Sequence, residues 1–297
     1  GKGTWLIKGN DTVIEGIEFS GAAVPDENGA AIRLEGRNLT LRDCYIHDNE
    51  NGFLCGEDMS SQVVFEFCEF ANNGFGDGYT HNMYIGRIGR FILQCSYVHH
   101  AKIGHNVKSR AAESYVLYNR IMDEKSGTSS YAIDTPNGGL VYVIGNSIQQ
   151  GPGTDNSTIV AYGAEGQTHS LNEFYAINNT IVNENDGGQF IDVLSNASAS
   201  WIMNNLLVGP GQISQQSAML SNNIFTDEPR FVDKAGYNYK LLPDSPAVNA
   251  GVALGTPRDF NLVPEYQYLH SAKCQTRTVV QAIDVGAFEY FTISSVP

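Results

Sequence analysis

Along most of this chain, apolar and polar residues alternate with a period of two over short stretches, and the stretches recur. The repeating unit is a large apolar residue, two variable positions, a centre, one variable position, and a second large apolar residue. The centres are Ile17, Cys44, Cys68, Cys95, Asn119, Asn146, Asn179, Asn205 and Asn223. Three positions before them stand Ile14, Leu41, Phe65, Ile92, Val116, Val143, Ala176, Ile202 and Leu220. Two positions after them stand Phe19, Ile46, Phe70, Tyr97, Ile121, Ile148, Ile181, Leu207 and Phe225. Most centres are 24–27 residues apart, with 33 between Asn146 and Asn179 and 18 between Asn205 and Asn223. Val, Ile, Phe and Tyr crowd around each centre, and Asn- and Gly-rich turns follow. Period-two alternation with β-branched and aromatic residues predicts several short strands per unit and no long helix.

A unit of this length with several strands predicts one coil of a parallel β-helix. The L-x-x-L-x-L signature of leucine-rich repeats is missing. Stacked coils put equivalent residues roughly 4.8 Å apart, so the Asn centres are expected to form a buried ladder, each amide bonding the next. Cys44, Cys68 and Cys95 are expected to fill the same interior slot as inert thiols. Five cysteines with no close-set spacing predict no disulfide framework, and no C-x-x-C suggests zinc. The expected organisation is about nine coils over residues 1–226 and a small C-terminal cap, 227–297, packed on the last coils. An uncapped end would expose strand edges and core. The first residues read directly as strand, so a cap on that side is expected to lie outside this sequence.

A second strand aligns across coils: Ala31–Glu35, Gly52–Gly56, Asn82–Gly86, Asn106–Arg110, Ala132–Pro136, Ile159–Gly163 and Ile191–Ser195. Ile32, Phe53, Met83, Val107 and Ile133 point inward by alternation. The outward column then reads Arg33, Leu54, Tyr84, Lys108, Asp134, Ala161 and Asp192, flanked by Asn82 and Asn106 on one side and Glu35 and Arg110 on the other. His81 and His105 precede two of these strands, and His99 and His100 lie in an earlier turn. Tyr84, Lys108 and Asp134 are thus expected on successive rungs of one face. The bland alternative is a cross-strand Lys–Asp pair on a solvated sheet.

The formal net charge is −14, from 18 basic and 32 acidic residues, which argues against a nucleic-acid partner. Residues 82–120 depart from that balance, with Arg87, Arg90, Lys102, Lys108, Arg110 and Arg120 against Glu113 alone. A basic patch of that kind would focus an anionic ligand. No apolar run approaches the roughly 18 residues a membrane span needs, and no signal-peptide pattern is present.

The repeat resembles the right-handed parallel β-helix superfamily of exported carbohydrate-active proteins: pectate-lyase-like lyases, uronate epimerases and polygalacturonase-like hydrolases. The resemblance covers residues 1 to about 226. Phe231-Val-Asp233, Ser245-Pro-Ala-Val-Asn-Ala-Gly251 and Asp284-Val-Gly-Ala-Phe-Glu-Tyr290 look like the closing segment of exported bacterial β-helix proteins. The resemblance implies a secreted, periplasmic or cell-surface location with any signal removed, and a monomer. Asn106-Val-Lys-Ser109 is similar to the Lys-Ser segment of chondroitinase-B-like and alginate-lyase-like β-helices, which implies Lys108 as the base of a polysaccharide lyase. Those relatives use a later arginine, where this chain offers Asp134. Some also place Ca²⁺ on the substrate carboxylate, for which Asp134, Asp192 or Glu113 would be the ligands here.

The leading expectation is β-elimination on an acidic, uronate-containing polysaccharide. That chemistry needs a base near neutral pH, positive charge on the carboxylate and a proton donor for the leaving oxygen. Lys108, Tyr84, His105 and Arg110 are the catalytic candidates. His81, Asn82, Asn106, Asp134, Arg33 and His100 are the binding candidates. The alternatives are a glycoside hydrolase using Asp134 and Asp192, or a non-catalytic glycan-binding solenoid. The Asp-Pro-His-Asp motif of alginate epimerases is missing.

Overall fold

In the computed structural model, which describes residues 2–194, 197–215 and 218–291, the repeat winds into three parallel sheets of nine strands each. The fold is the expected parallel β-helix. The first sheet runs from Gly3–Ile7 to Gln212–Gln215, the second from Thr12–Glu15 to Met219–Ser221, and the third from Glu18–Ser20 to Ile224–Thr226. Each coil crosses the three sheets in that order. Its inward residues, among them Ile32, Phe53, Phe65, Phe91, Val107, Ile133 and Phe174, form one continuous buried core. No helix among the described residues is long and apolar enough to cross a membrane.

One local device repeats at the corner between the second and third sheets. Gly16, Asp43, Phe67, Cys95, Tyr118, Gly145, Asn178, Asn204 and Asn222 all adopt a left-handed conformation, with φ between +51° and +67°. A single left-handed residue turns the chain sharply, and the residue after it then points inward. For a non-glycine residue this conformation costs on the order of 1 kcal/mol. The ladder that follows offsets the cost. Asn119 Nδ2 donates to Asn146 Oδ1 at 3.0 Å, Asn146 to Asn179 at 3.0 Å, Asn179 to Asn205 at 2.9 Å and Asn205 to Asn223 at 2.8 Å. Each acceptor oxygen also takes the backbone N–H of the preceding rung, so the amides are fully used.

The ladder corrects the reading of one coil. Tyr97 pairs with Arg120 and with Glu69, so the residue level with Asn119 and Cys68 is Ser96. Ser96 N–H donates to Asn119 Oδ1, and Ser96 Oγ accepts from the Cys68 backbone. Cys44 and Cys68 are free buried thiols in the column. Cys95 is not, because it occupies the left-handed corner and faces outward. It bonds to Cys274 across 179 residues of chain. The off-by-one arose because Ile92 and Leu93 both suit the apolar slot; Leu93 is the buried one.

A second ladder occupies the corner between the third and first sheets. Asn49 Nδ2 donates to Asn73 Oδ1, Asn73 to Asn82, and Asn82 to Asn106, at 2.7–2.9 Å. Asn106 ends it on Ser129 and Asp123. Asn82 and Asn106, expected on the outer face as binding residues, are instead buried at 0% and 1% exposure. They precede strands that begin one residue later, so alternation does not yet govern where they point.

The C-terminal segment runs along the flank of the solenoid, beyond the expected position on the last coils. Phe231, Tyr239, Leu241, Tyr268 and Phe288 pack on the outer face of the third sheet, reaching back to Met122 and Tyr97. Leu262 and Phe260 lie on the outer face of the second sheet, over Tyr142. The corner asparagines dock it: Asn178 Nδ2 donates to Asp284 O, Asn204 Nδ2 to Val252 O, and Asn222 Nδ2 to Ala250 O. In each Asn-Asn pair the first residue therefore holds the segment and the second joins the ladder. At the last coil Leu220 and Phe225 stay 47% and 54% exposed. Ser195 and residues 292–297, parts of the expected last aligned strand and cap, lie outside the described residues.

Candidate active site

The outer face of the first sheet keeps the expected column in full register. Arg33 pairs with Leu54, Leu54 with Tyr84, Tyr84 with Lys108, Lys108 with Asp134, Asp134 with Ala161, and Ala161 with Asp192. Short strands, Met83–Ile85, Val107–Ser109 and Ile133–Thr135, carry the three central side chains on rungs roughly 4.8 Å apart. Inward Met83, Val107 and Ile133 are fully buried and fix which way their neighbours face.

Around Lys108 the side chains converge. The amine lies 3.8 Å from Asp134 Oδ2 and 6.0 Å from the centre of the Tyr84 ring. Its side chain is only 13% exposed. Burial, with a smaller push from Arg110, holds the Lys108 amine below its ordinary value, although Asp134 pulls the other way. Arg110 Nε donates to the Tyr84 hydroxyl oxygen at 2.8 Å. That bond leaves the Tyr84 hydrogen free to point into the groove. The two imidazoles form the floor beside them. His81 and His105 rings are 4.6 Å apart, and His81 stacks parallel to Tyr84 at 5.9 Å. His81 Nδ1 accepts the backbone N–H of His105, so its ring proton sits on Nε2. Burial, then the charges of His105, Lys108 and Arg110, hold His81 well below its ordinary value and keep it neutral. His105 Nδ1 lies 3.1 Å from Asp134 Oδ2, off the line of a hydrogen bond, and Tyr131 closes over its ring edge.

The structure thus brings together Tyr84, His81, His105, Lys108, Arg110 and Asp134. It separates the rest. Arg33 stands two rungs below Tyr84, beside a cavity of about 550 Å³ lined also by Glu35, Arg37, Glu57 and Asp58. His100 faces the third-sheet side, with Nδ1 2.8 Å from His99 Nδ1 and Nε2 3.2 Å from Ser126 Oγ. The basic patch also dissolves, because 24–27 residues wrap once around the solenoid and face three directions. Arg90 pairs with Glu113 on the second sheet, Arg120 with Glu124 on the third, and Lys102 with Asp48. Lys108 and Arg110 remain on the first sheet. Glu113 is on a different face from Asp134 and Asp192, so the three expected Ca²⁺ ligands do not converge. Among the described residues no group of three or more His, Cys, Asp or Glu is placed to hold a metal ion.

Sequence reasoning missed Glu165 and Asn137. Arg110 is held bidentately by Glu165, at 2.6 and 3.0 Å, and also donates to Asn137 Oδ1. Glu165 lies on the segment between strands Thr158–Tyr162 and Glu173–Ile177. The 33-residue spacing between Asn146 and Asn179 signalled an enlarged coil, although nothing in the sequence said where its side chains would reach.

The fold and this groove define a parallel β-helix with a histidine-floored cleft on one face, in which Lys108 and Arg110 face Asp134 and Glu165. Residues 1–85 match the family model for the right handed beta helix region. No curated protein and no solved structure matches the chain. The family match ends at Ile85, one coil before Lys108, so it speaks to the fold and leaves the chemistry to the geometry.

Proposed function

We propose that this protein is a polysaccharide lyase that cleaves a uronate-containing polymer by β-elimination, with Lys108 as the base. The observation that carries the reading is the half-sequestered Lys108 amine, held below its ordinary value beside Arg110 and one rung from Tyr84. A neutral Lys108 amine takes the proton α to the uronate carboxylate. The C–H electrons form the new C4–C5 double bond as the C4–O bond breaks, and the leaving oxygen takes the Tyr84 hydroxyl proton. Arg110 stabilises the negative charge that builds on the carboxylate, and His81 Nε2–H is a second donor at the floor. Base and acid stand on adjacent rungs of the same face, which suits removal of both groups from one side of the sugar ring.

Asp134 is 4% exposed and faces both Lys108 and His105, which suits a group that positions the amine better than one that protonates a glycosidic oxygen. The Cys95–Cys274 bond fits an oxidising compartment, in line with export. The test is a panel of acidic polysaccharides: alginate, polygalacturonate, glycosaminoglycans and bacterial exopolysaccharides. A lyase releases unsaturated, ultraviolet-absorbing ends from at least one of them. Reducing ends without that absorbance would make the protein a hydrolase, and retention without cleavage a binding module.

A further inference from the structure

The segment 163–172 crosses the rim of the groove and places the Glu165 carboxylate on the Arg110 guanidinium. The segment is anchored through both backbone and side chain. Glu165 N–H donates to Pro136 O at 2.8 Å, and Thr168 N–H to Asn137 O at 3.1 Å. Arg87 Nη2 donates to Thr168 O at 3.2 Å, and His169 Nε2 lies 3.1 Å from Arg110 O. The Glu165 side chain is different, being 50% exposed and tethered, among the described residues, through Arg110. We propose that Glu165 is an internal stand-in for the substrate: in the free protein its two oxygens occupy, on Arg110 beside Asn137, the subsite that a uronate carboxylate takes when the polymer binds.

This rests on the lyase reading and adds how the site is occupied before substrate arrives. The match is one of chemistry. A uronate presents the same planar, two-oxygen anion to the same fork. The hydrogen bonds and charge of Arg110, with smaller contributions from Lys108 and His105, hold the Glu165 carboxyl below its ordinary value, so the groups around the proposed site already favour a carboxylate at this position. An ion pair exposed on one side is weakly held, so a polymer-borne carboxylate displaces it by rotating one side chain, with the anchored backbone left in place. The arrangement keeps Arg110 from capturing small anions, while a ligand that binds several rungs at once exchanges readily.

The experiment measures binding, by calorimetry, of uronate tetrasaccharides (galacturonate, guluronate and mannuronate) and their carboxyl-reduced, neutral counterparts. It uses the Lys108→Ala protein, whose turnover is slowed, with and without Glu165→Gln, and product absorbance is read after each titration to check that the sugar stayed intact. The expected result is about three- to fivefold tighter binding of an acidic tetrasaccharide on Glu165→Gln, no change for the neutral one, and loss of that gain when Arg110→Gln is added. Unchanged affinity, an equal gain for the neutral sugar, or a gain that survives Arg110→Gln overturns the inference. If the parent binds uronate and Glu165→Gln is silent, the inference alone falls. If no variant binds any acidic tetrasaccharide, the lyase reading falls with it.

Discussion

The outer faces of the first and second sheets are built on the same rungs with the same spacing, yet the molecule treats them in opposite ways. On the second sheet the outward column is aromatic. Tyr115, Tyr142 and Tyr175 stack at 5.1 and 5.0 Å, and Phe260 of the C-terminal segment lies 4.4 Å from the Tyr142 ring. On the first sheet the coils of Tyr115 and Tyr142 present Lys108 and Asp134, with Tyr84 one coil earlier, and segment 163–172 crosses them at the rim. An apolar column gains by being covered, at roughly 25 cal/mol per Å² of apolar surface. A column of charges loses its hydration if covered, so the chain leaves it to a ligand that can supply matching charge. The lesson is that in a solenoid the wound chain chooses its own buttress, and the face left without one is where binding chemistry belongs.

Four variants test that contrast. Lys108→Ala should lower kcat/KM on the cleaved polymer by about 10²–10⁴-fold, the range for losing a general base, with the far-ultraviolet circular dichroism of a β-helix retained. Tyr142→Ala should do the reverse. It empties a fully buried site on the covered face, and denaturant unfolding should report a loss of about 3–5 kcal/mol, with kcat/KM within about twofold of the parent. Replacing Cys95 and Cys274 by serine releases the buttress from the fourth coil and should cost about 2–4 kcal/mol in the same measurement, again with turnover kept. If either covered-face variant abolished turnover while remaining folded, the two faces would not be separable. The smallest effect is electrostatic. Asp134 raises the Lys108 pKa, so Asp134→Asn should move the acid limb of the kcat/KM profile to lower pH by about one unit or less, read from initial rates across pH.

Much of the fold was legible because a coil repeats its own error check. Eight of nine ladder positions follow from spacing alone, and the ninth failed only where Cys95 and Ser96 are both small enough for the slot. The outward column from Arg33 to Asp192 was readable for the same reason: each inward apolar residue fixes its neighbours. What could not be read was everything that depends on where turns send the chain. Asn82 and Asn106 looked like flanking ligands but close a second ladder. The run of basic residues looked like a patch, and winding scattered it. Glu165 reaches Arg110 across 55 residues, and the disulfide joins residues 179 apart, neither of which any local pattern encodes.

The central claim is that Lys108, neutral in the working site, removes the proton. The most direct measurement is the pH dependence of kcat/KM for ultraviolet-absorbing product, in the parent and in Asp134→Asn. Under that claim activity should rise with pH through an inflection below the ordinary lysine range, and that inflection should fall further when the Asp134 charge is removed. An activity that instead rises through the carboxylate range near about 4, unmoved by Asp134→Asn, would contradict the account.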